Sequence, residues 1–155
     1  MAAPNLRWAS AADTDKVLTL LEEYHRQEGL GRGHARDRLG GLLDDLFESP
    51  ARGRVLLAEQ DGQAVGYALV IRRYSFEWAS ELAVIDEIFV QGPARERGLG
   101  RRMIEFCEEY AASEGLPAIT LEVSVLNVNA REFYRAVGFD RVEREIYARK
   151  IRGPR

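Results

Sequence analysis

Hydrophobic and polar residues along the chain follow two periods, and this pattern predicts a mixed series of helices and strands. Apolar residues three or four positions apart are typical of the buried face of a helix, whereas short β-branched runs are typical of strands. Pro50 stops the second helical pattern, and Asp61-Gly62 predicts a hairpin turn. The predicted strands are 6–9, 54–59, 64–71, 82–90, 118–123 and 142–148, and the predicted helices are about 13–28, 35–48, 99–113 and 129–137.

The order of these elements, β-α-α-β-β-β-α-β-α-β, predicts a mixed α/β (α+β) fold in which helices flank a central sheet. The 155 residues can bury a core without disulfide or metal staples. No repeat or low-complexity linker divides the chain, so we expect a single domain over residues 1–155. Glycines at 29, 31 and 33 predict a mobile link between the first two helices.

Composition and charge exclude several classes of protein. With 46% hydrophobic and 30% charged residues and no run of eighteen apolar residues, the chain has the composition of a globular protein without a membrane span. No basic and apolar leader precedes Trp8, and one cysteine cannot build a disulfide framework, so we expect a cytoplasmic protein. The net charge of −3 argues against broad nucleic-acid binding.

A glycine-rich segment between the predicted strand 82–90 and the helix that follows is the main chemical candidate. Gly98 and Gly100 allow close backbone approach, and helix N-termini favour phosphate. No Gly-Lys-Ser/Thr follows as in a P-loop, and Met103 stands where a dinucleotide fingerprint requires glycine or alanine. Taken alone, these glycines also fit simple helix capping or packing. The segment's arginines, which can contact phosphate oxygens, are Arg95, Arg97, Arg101 and Arg102.

Two ordered motifs give the segment a family context. Arg95-x-x-Gly98-x-Gly100 and Asn127-x-x-Ala130-x-x-Phe133-Tyr134-x-x-x-Gly138-Phe139 resemble the two signatures of the GNAT acetyltransferases. The resemblance runs from residue 6 to about residue 151 and implies acetyl-CoA as the acyl donor, with its pantetheine arm between the strands near 82–90 and 118–125. It places the donor on Ile88, Phe89, Val90, Arg95, Glu96, Arg97, Gly98, Leu99, Gly100, Arg101, Asn127, Ala130 and Tyr134.

Amine acetylation requires groups that accept and donate protons. An alkylamine with a pKa of about 10.4 needs about 4 kcal/mol to become neutral at pH 7. Asp86 or Glu87 can accept that proton, and strand alternation is expected to let only one of them face the substrate. The resemblance assigns Tyr134 as the proton donor to the leaving thiolate. A core role for Tyr134, and a solvated or ion-paired role for the acidic pair, remain the structural alternatives.

The segment 74–90 resembles the polyamine and diamine acetyltransferase branch, although residues 91–94 depart from its usual form. The predicted acceptor is therefore a small cationic amine, with Tyr74, Phe76 and Trp78 as aromatic walls and Glu87 as an anionic contact. Packing of these aromatic residues on the sheet is the alternative. Transfer to a protein N-terminus, to lysine or to an antibiotic amine, use of a longer acyl-CoA, and a non-catalytic acetyl-CoA sensor all stay open. Relatives suggest a homodimer.

Three further residues are assigned structural roles. Cys107 shares the apolar face of the predicted helix 99–113 and is expected in the core. His25 and His34 have no ligand partners at metal spacing, so we expect exposed histidines and no metal site.

Overall fold

The computed structural model describes residues 2–30 and 33–153, so Gly31 of the predicted interhelical link lies outside the described residues. The chain divides into two compact units, Met1–Glu122 and Val123–Arg155. None of the described helices is long and apolar enough to span a membrane. The elements are β1 Asn5–Trp8, α1 Thr14–Gln27, α2 Arg36–Glu48, β2 Gly53–Gln60, β3 Gln63–Ser75, β4 Ser80–Val90, α3 Leu99–Ser113, β5 Ile119–Leu121 and α4 Val128–Ala136, with short 3-10 turns at Ala11–Asp13 and Gly92–Ala94.

The first unit is built on a five-stranded sheet with the strand order β1-β2-β3-β4-β5. The first four strands pair antiparallel, which short connections allow. The predicted hairpin turn is confirmed: Asp61 and Gly62 have φ values of 50° and 79°, as a two-residue turn of this kind requires. β5 pairs parallel with β4, and α3 makes the long crossover that a parallel pair needs.

Helices cover both faces of this sheet. Alternation along β2 and β3 sends Val55, Leu57 and Tyr67 toward α1 and α2, where they form one buried cluster with the apolar face of those helices. On the opposite face α3 buries Met103, Ile104 and Cys107, which confirms Cys107 as a core residue. The close packing of α3 requires a glycine at position 66. A Cβ there would lie 2.8 Å from the Phe89 carbonyl oxygen and 3.4 Å from the Met103 sulfur.

The C-terminal segment differs from the sequence prediction. The predicted strand over 142–148 is wrong: residues 139–153 contain neither helix nor strand, and Val142, Ile146 and Tyr147 are exposed. An apolar, β-branched run meets the side-chain requirement of a strand, but a strand also needs a neighbouring backbone to pair with. The described part of the second unit contains α4 and no strand that could serve as that neighbour.

Candidate active site

A β-bulge in β4 shapes the centre of the site. β4 pairs with β3 as Glu87 with Leu69 and then as Ile85 with Val70, so Asp86 is an extra residue without a partner. Bulges of this kind re-aim side chains and are frequent beside active sites. The bulge interrupts the regular alternation that we used to predict that only one carboxylate faces the site.

Both carboxylates of the acidic pair act electrostatically on the same two phenols. Burial raises the pKa of Tyr24 on α1 and of Tyr67 on β3, and the negative charges of both Asp86 and Glu87 raise these pKa values further. Asp86 and Glu87 therefore belong to one electrostatic cluster, and the expectation that only one of them faces the substrate stays a prediction.

The Glu87 carboxylate is held by a donor on each oxygen. The hydroxyl of the fully buried Tyr67 donates to Oε2 at 2.7 Å, and His25 Nε2 contacts Oε1 at 2.6 Å. The prediction of an exposed His25 was wrong, because its side chain is only 21% exposed. The sequence contained a usable signal: His25 follows Leu18 by seven residues and Leu21 by four, the spacing of the buried helix face.

The Asp86 carboxylate differs from that of Glu87 in its exposure and in its hydrogen-bond partners. It is exposed at its outer side, and among the described residues it has no hydrogen-bond or ion-pair partner. Partial desolvation, the charge of Glu87 and the charge of Glu122 raise the pKa of Asp86. A carboxylate that is unpaired and has a raised pKa is suited to accept a proton near neutral pH.

The outer edge of β4 is open beside this acidic pair. β5 pairs with β4 only at residues 83–85, and within the first unit no strand pairs with this edge over 86–90. Backbone groups of Ile88 and Val90 on this edge can pair with a ligand that lies along it, except that the Val90 carbonyl accepts from Arg95 Nε at 2.7 Å. The Phe89 side chain is in the core under α1, and its backbone pairs with β3, as that of Gln91 does two residues later. The side chains of Ile88 and Val90 are half-buried.

The turn after β4 ends at the N-terminus of α3 and has the geometry of an anion site. Glu96 and Gly98 have positive φ values of 63° and 74°. No side chain caps α3, and its first backbone bond runs from Arg102 N to Gly98 O, so the N–H groups of Leu99 and Gly100 lack helical acceptors. Open space surrounds the missing Cβ of Gly98, so a phosphate fits close to this backbone.

Two of the four arginines predicted to contact phosphate point elsewhere. Arg95 donates from Nε to the Val90 carbonyl at 2.7 Å and from a terminal nitrogen to Gln27 Oε1 at 2.9 Å, with its guanidinium over the Phe89 ring. Arg102 donates to the Pro4 carbonyl at 3.0 Å. In this structure the Arg95 side chain ties the turn to α1 and does not face the glycines.

The remaining residues predicted to contact acetyl-CoA lie in the second unit, on one short helix and its cap. Asn127 caps α4, because its Oδ1 accepts from the Ala130 N–H at 3.1 Å. Tyr134 is half-buried and packs against Phe133 and Phe139, with ring centroids 5.3 and 5.8 Å away. Asn127, Ala130 and Tyr134 therefore share this helix and its cap.

The aromatic residues predicted to line the acceptor site lie at the tip of the β3–β4 hairpin. Tyr74, Phe76 and Trp78 are 79%, 99% and 51% exposed, so they neither pack the sheet nor form a wall beside Glu87. Tyr74 pairs with Glu81, and the six residues from Glu81 to Glu87 span about 20 Å of strand. Proximity in sequence did not bring these groups together, because an extended strand separates them.

The other candidates for reactive groups are inert in this geometry. Burial, with a smaller contribution from Glu108, raises the pKa of the Cys107 thiol to about 12, so it is not a nucleophile near neutral pH. The described residues contain no group of three or more His, Cys, Asp or Glu side chains placed to hold a metal ion. His34 is exposed, as predicted.

Comparison with known proteins finds similarity to acetyltransferases in sequence and in structure. The family model described as "Acetyltransferase (GNAT) family" matches residues 15–139. An uncharacterized N-acetyltransferase of Bacillus subtilis (strain 168), YhfO, is 27% identical over 88% of this chain and 89% of its own. The thialysine N-epsilon-acetyltransferase of Bos taurus is 27% identical over 89% of this chain and 85% of its own. A solved aminoglycoside N-acetyltransferase, AAC(6')-Iy in complex with CoA, shares the fold with a TM-score of 0.80 at 21% identity, covering 97% of this chain and 96% of that one.

Proposed function

The chain belongs to the GNAT acetyltransferase family and is an acyltransferase, and from this premise we propose that it transfers an acetyl group from acetyl-CoA to the primary amine of a small cationic molecule. One observation carries the proposal: the acidic pair at the β4 bulge lies beside an open strand edge that leads into the uncapped start of α3. The family match continues from the first unit into the second, which supports a single acetyltransferase domain over residues 1–155.

The residues around this edge fit the chemistry of a CoA thioester. The N–H groups of Leu99 and Gly100 at the uncapped start of α3 would hold the pyrophosphate together with Arg101, and backbone groups of Ile88 and Val90 would pair with the amides of pantetheine. By family resemblance, Asn127, Ala130 and Tyr134 would contribute from the second unit. When bound, the thioester supplies the activated acetyl group.

The protein's part in the reaction is the movement of two protons. Asp86 accepts a proton from the acceptor ammonium, directly or through water, so that the amine nitrogen has a free electron pair. A C–N bond to the acetyl carbon then forms, the C–S bond breaks, and the nitrogen releases its second proton to solvent as the amide forms. By resemblance, Tyr134 donates its hydroxyl proton to the departing sulfur. Proton acceptance and proton donation thus fall to separate side chains.

The acceptor site is anionic, which supports a cationic acceptor. Asp86, Glu87 and Glu122 act on one another electrostatically, so an ammonium group is attracted to this part of the sheet. Diamines and polyamines are the first candidates, because the β4 segment resembles that branch. Similar proteins are named for thialysine and aminoglycosides, which are also cationic primary amines.

The test is a calorimetric titration with acetyl-CoA, followed by thiol release in the presence of different amines. We expect binding, with the fastest release on diamines or polyamines. Faster release on lysine peptides or protein N-termini would replace the acceptor class, and binding without release on any amine would identify a sensor. No binding would refute the proposal. Light scattering on the same sample tests the homodimer expected from relatives.

A further inference from the structure

A three-residue network joins α1, β3 and β4 at the acidic pair. The Glu87 carboxylate receives one contact on each oxygen, from Tyr67 at 2.7 Å and from His25 at 2.6 Å. A carboxylate can only accept, so His25 Nε2 carries the hydrogen and donates it. Because burial and the charge of Glu87 raise the pKa of Tyr67, the phenol stays protonated and remains a donor. Both Glu87 oxygens are therefore engaged before any substrate arrives.

His25 is fixed in this position by its neighbours on α1. The last two turns of α1 run along β4 and the phosphate turn, with two contacts before the histidine and one after it. These contacts are the Gln91 Nε2 donation to Glu23 Oε2 at 2.7 Å, the Tyr24 ring 5.6 Å from the Phe89 ring, and the Arg95 donation to Gln27 Oε1 at 2.9 Å.

On the basis of the function proposed above, we propose that His25 and Tyr67 are positioning residues that hold Glu87 as a fixed anion beside Asp86 and thereby assign the two carboxylates different tasks. Glu87, with both oxygens occupied, supplies negative charge. Asp86, which has no hydrogen-bond partner among the described residues, is left to accept the amine proton. The bulge at Asp86 interrupts the regular strand alternation between these two adjacent groups.

The groups that face the acidic pair determine how this assignment affects Asp86. Tyr24 and Glu28 at the end of α1, Tyr67 on β3 and Glu122 after β5 are neutral or negative, and His25 is the one side chain in this electrostatic cluster that can carry positive charge. Glu87 raises the pKa of Asp86, so any change that moves or neutralises Glu87 also changes the titration of Asp86.

A double-mutant cycle on kcat/KM tests whether His25 acts through Glu87. We expect His25→Ala to lower kcat/KM for the preferred amine by about 10-fold in the wild-type background and by less than about 2-fold in Glu87→Gln, since coupled residues are non-additive. His25→Gln, which retains a donor, is expected to recover most of the loss. The matched control is His34→Ala, an exposed histidine outside the site, with wild-type activity. Equal losses in both backgrounds would overturn the proposal.

A second measurement does not depend on turnover. The Asp86 carboxyl carbon, labelled with 13C, is titrated by NMR in the wild type, His25→Ala, Tyr67→Phe, Glu87→Gln and the double variant His25→Ala/Glu87→Gln. We expect Glu87→Gln to lower the pKa of Asp86, and His25→Ala to shift the titration only where Glu87 is present. Titration curves that superimpose would refute the inference even for an active enzyme. Coupled titrations in a protein that acetylates no amine would support the network and refute the proposed function. Tyr67→Phe probes the same carboxylate if His25→Ala fails to fold.

Discussion

A buried or half-buried carboxylate lies at each end of α1, Asp13 at its start and Glu87 of β4 beside its last turns, and the partners of these carboxylates differ. At the N-terminal end, Asp13 is 5% exposed and accepts two hydrogen bonds of 2.8 Å from Arg7, with Lys16 at 3.9 Å. The hydrogen bonds from Arg7 hold the pKa of Asp13 well below its usual range. Near the C-terminal end, Glu87 has Tyr67 and His25 as partners and another carboxylate beside it.

The difference separates a structural carboxylate from a functional one. Arg7 ties the β1 strand to Asp13 and also to Glu59 on β2, so its charge is fully compensated and the pairs favour the folded state. The Asp86–Glu87 pair places two negative charges together, which raises the pKa of Asp86 and disfavours its ionised form. Arrangements that oppose stability in this way are concentrated at active sites.

The largest expected effect is on catalysis. Asp86→Asn removes the proposed proton acceptor, and we expect kcat/KM to fall by about 10²- to 10⁴-fold, the usual contribution of such a group. The substitution also removes an unfavourable charge, so the melting temperature should stay equal or rise. Steady-state kinetics and thermal unfolding on one preparation measure both quantities. Unchanged activity would transfer the proton-acceptor role to Glu87 or to water.

The corresponding change at the other end of α1 should affect stability and leave catalysis intact. Asp13→Asn leaves Arg7 without its best partner and is expected to lower the free energy of unfolding by about 2–3 kcal/mol. Urea unfolding measures this loss. The folded variant should keep the wild-type kcat/KM, and a large loss of activity at full folding would show that the two ends of α1 are coupled.

Tyr134→Phe is expected to have an intermediate effect that isolates proton donation. If the hydroxyl protonates the leaving sulfur, kcat should fall by about 10- to 100-fold while the Kd for acetyl-CoA stays unchanged. Calorimetry and stopped-flow thiol release separate the two quantities. Wild-type turnover in this variant would leave Tyr134 with its packing role against Phe133 and Phe139.

The smallest effects are the pH dependences, and they should have opposite signs. The folded pKa of Asp13 is lowered, so its stabilising contribution is complete above its unfolded pKa of about 3.9 and is lost as pH falls further. The folded pKa of Asp86 is raised, so its ionisation opposes folding above that pKa and has no effect below about pH 3.9. As pH falls, the difference in the free energy of unfolding by which wild type exceeds Asp13→Asn should therefore become smaller. The difference by which wild type falls short of Asp86→Asn should disappear. Parallel trends in urea unfolding between pH 3 and 7 would contradict the comparison.

Local patterns predicted most of the fold. The helices, the hairpin and the strand–turn–helix around Gly98 follow from apolar spacing and from glycine conformations, which depend on neighbouring residues. Residues 142–148 show the limit of such patterns. Their apolar residues alternate as in a strand, but the described part of their unit contains no strand with which they could pair. Asp13 occupies the N-cap position of α1, but its side chain binds Arg7 and the Ser10 N–H instead of the helix.

The candidate site was predictable in part. The acidic pair and the glycine turn lie close in sequence, so motifs locate them together. His25 lies 62 residues from Glu87 and Tyr67 lies 20 residues away, and only the packing of α1 on the sheet brings them to one carboxylate. The structure does not place the predicted aromatic wall beside Glu87. Tyr74 is close to Glu87 in sequence, but an extended strand separates the two residues in space.

By itself the sequence determined the elements other than the strand predicted over 142–148, the family and the chemistry of the turn before α3, because these depend on contiguous residues and on spacings that one helix or strand imposes. The tertiary structure alone decided that Asp86 occupies a bulge, that Glu87 is held by His25 and Tyr67, and that Asp86 keeps no partner among the described residues. A carboxylate's charge state and availability depend on the groups that surround it in space. Those groups come from three elements whose packing no local pattern records.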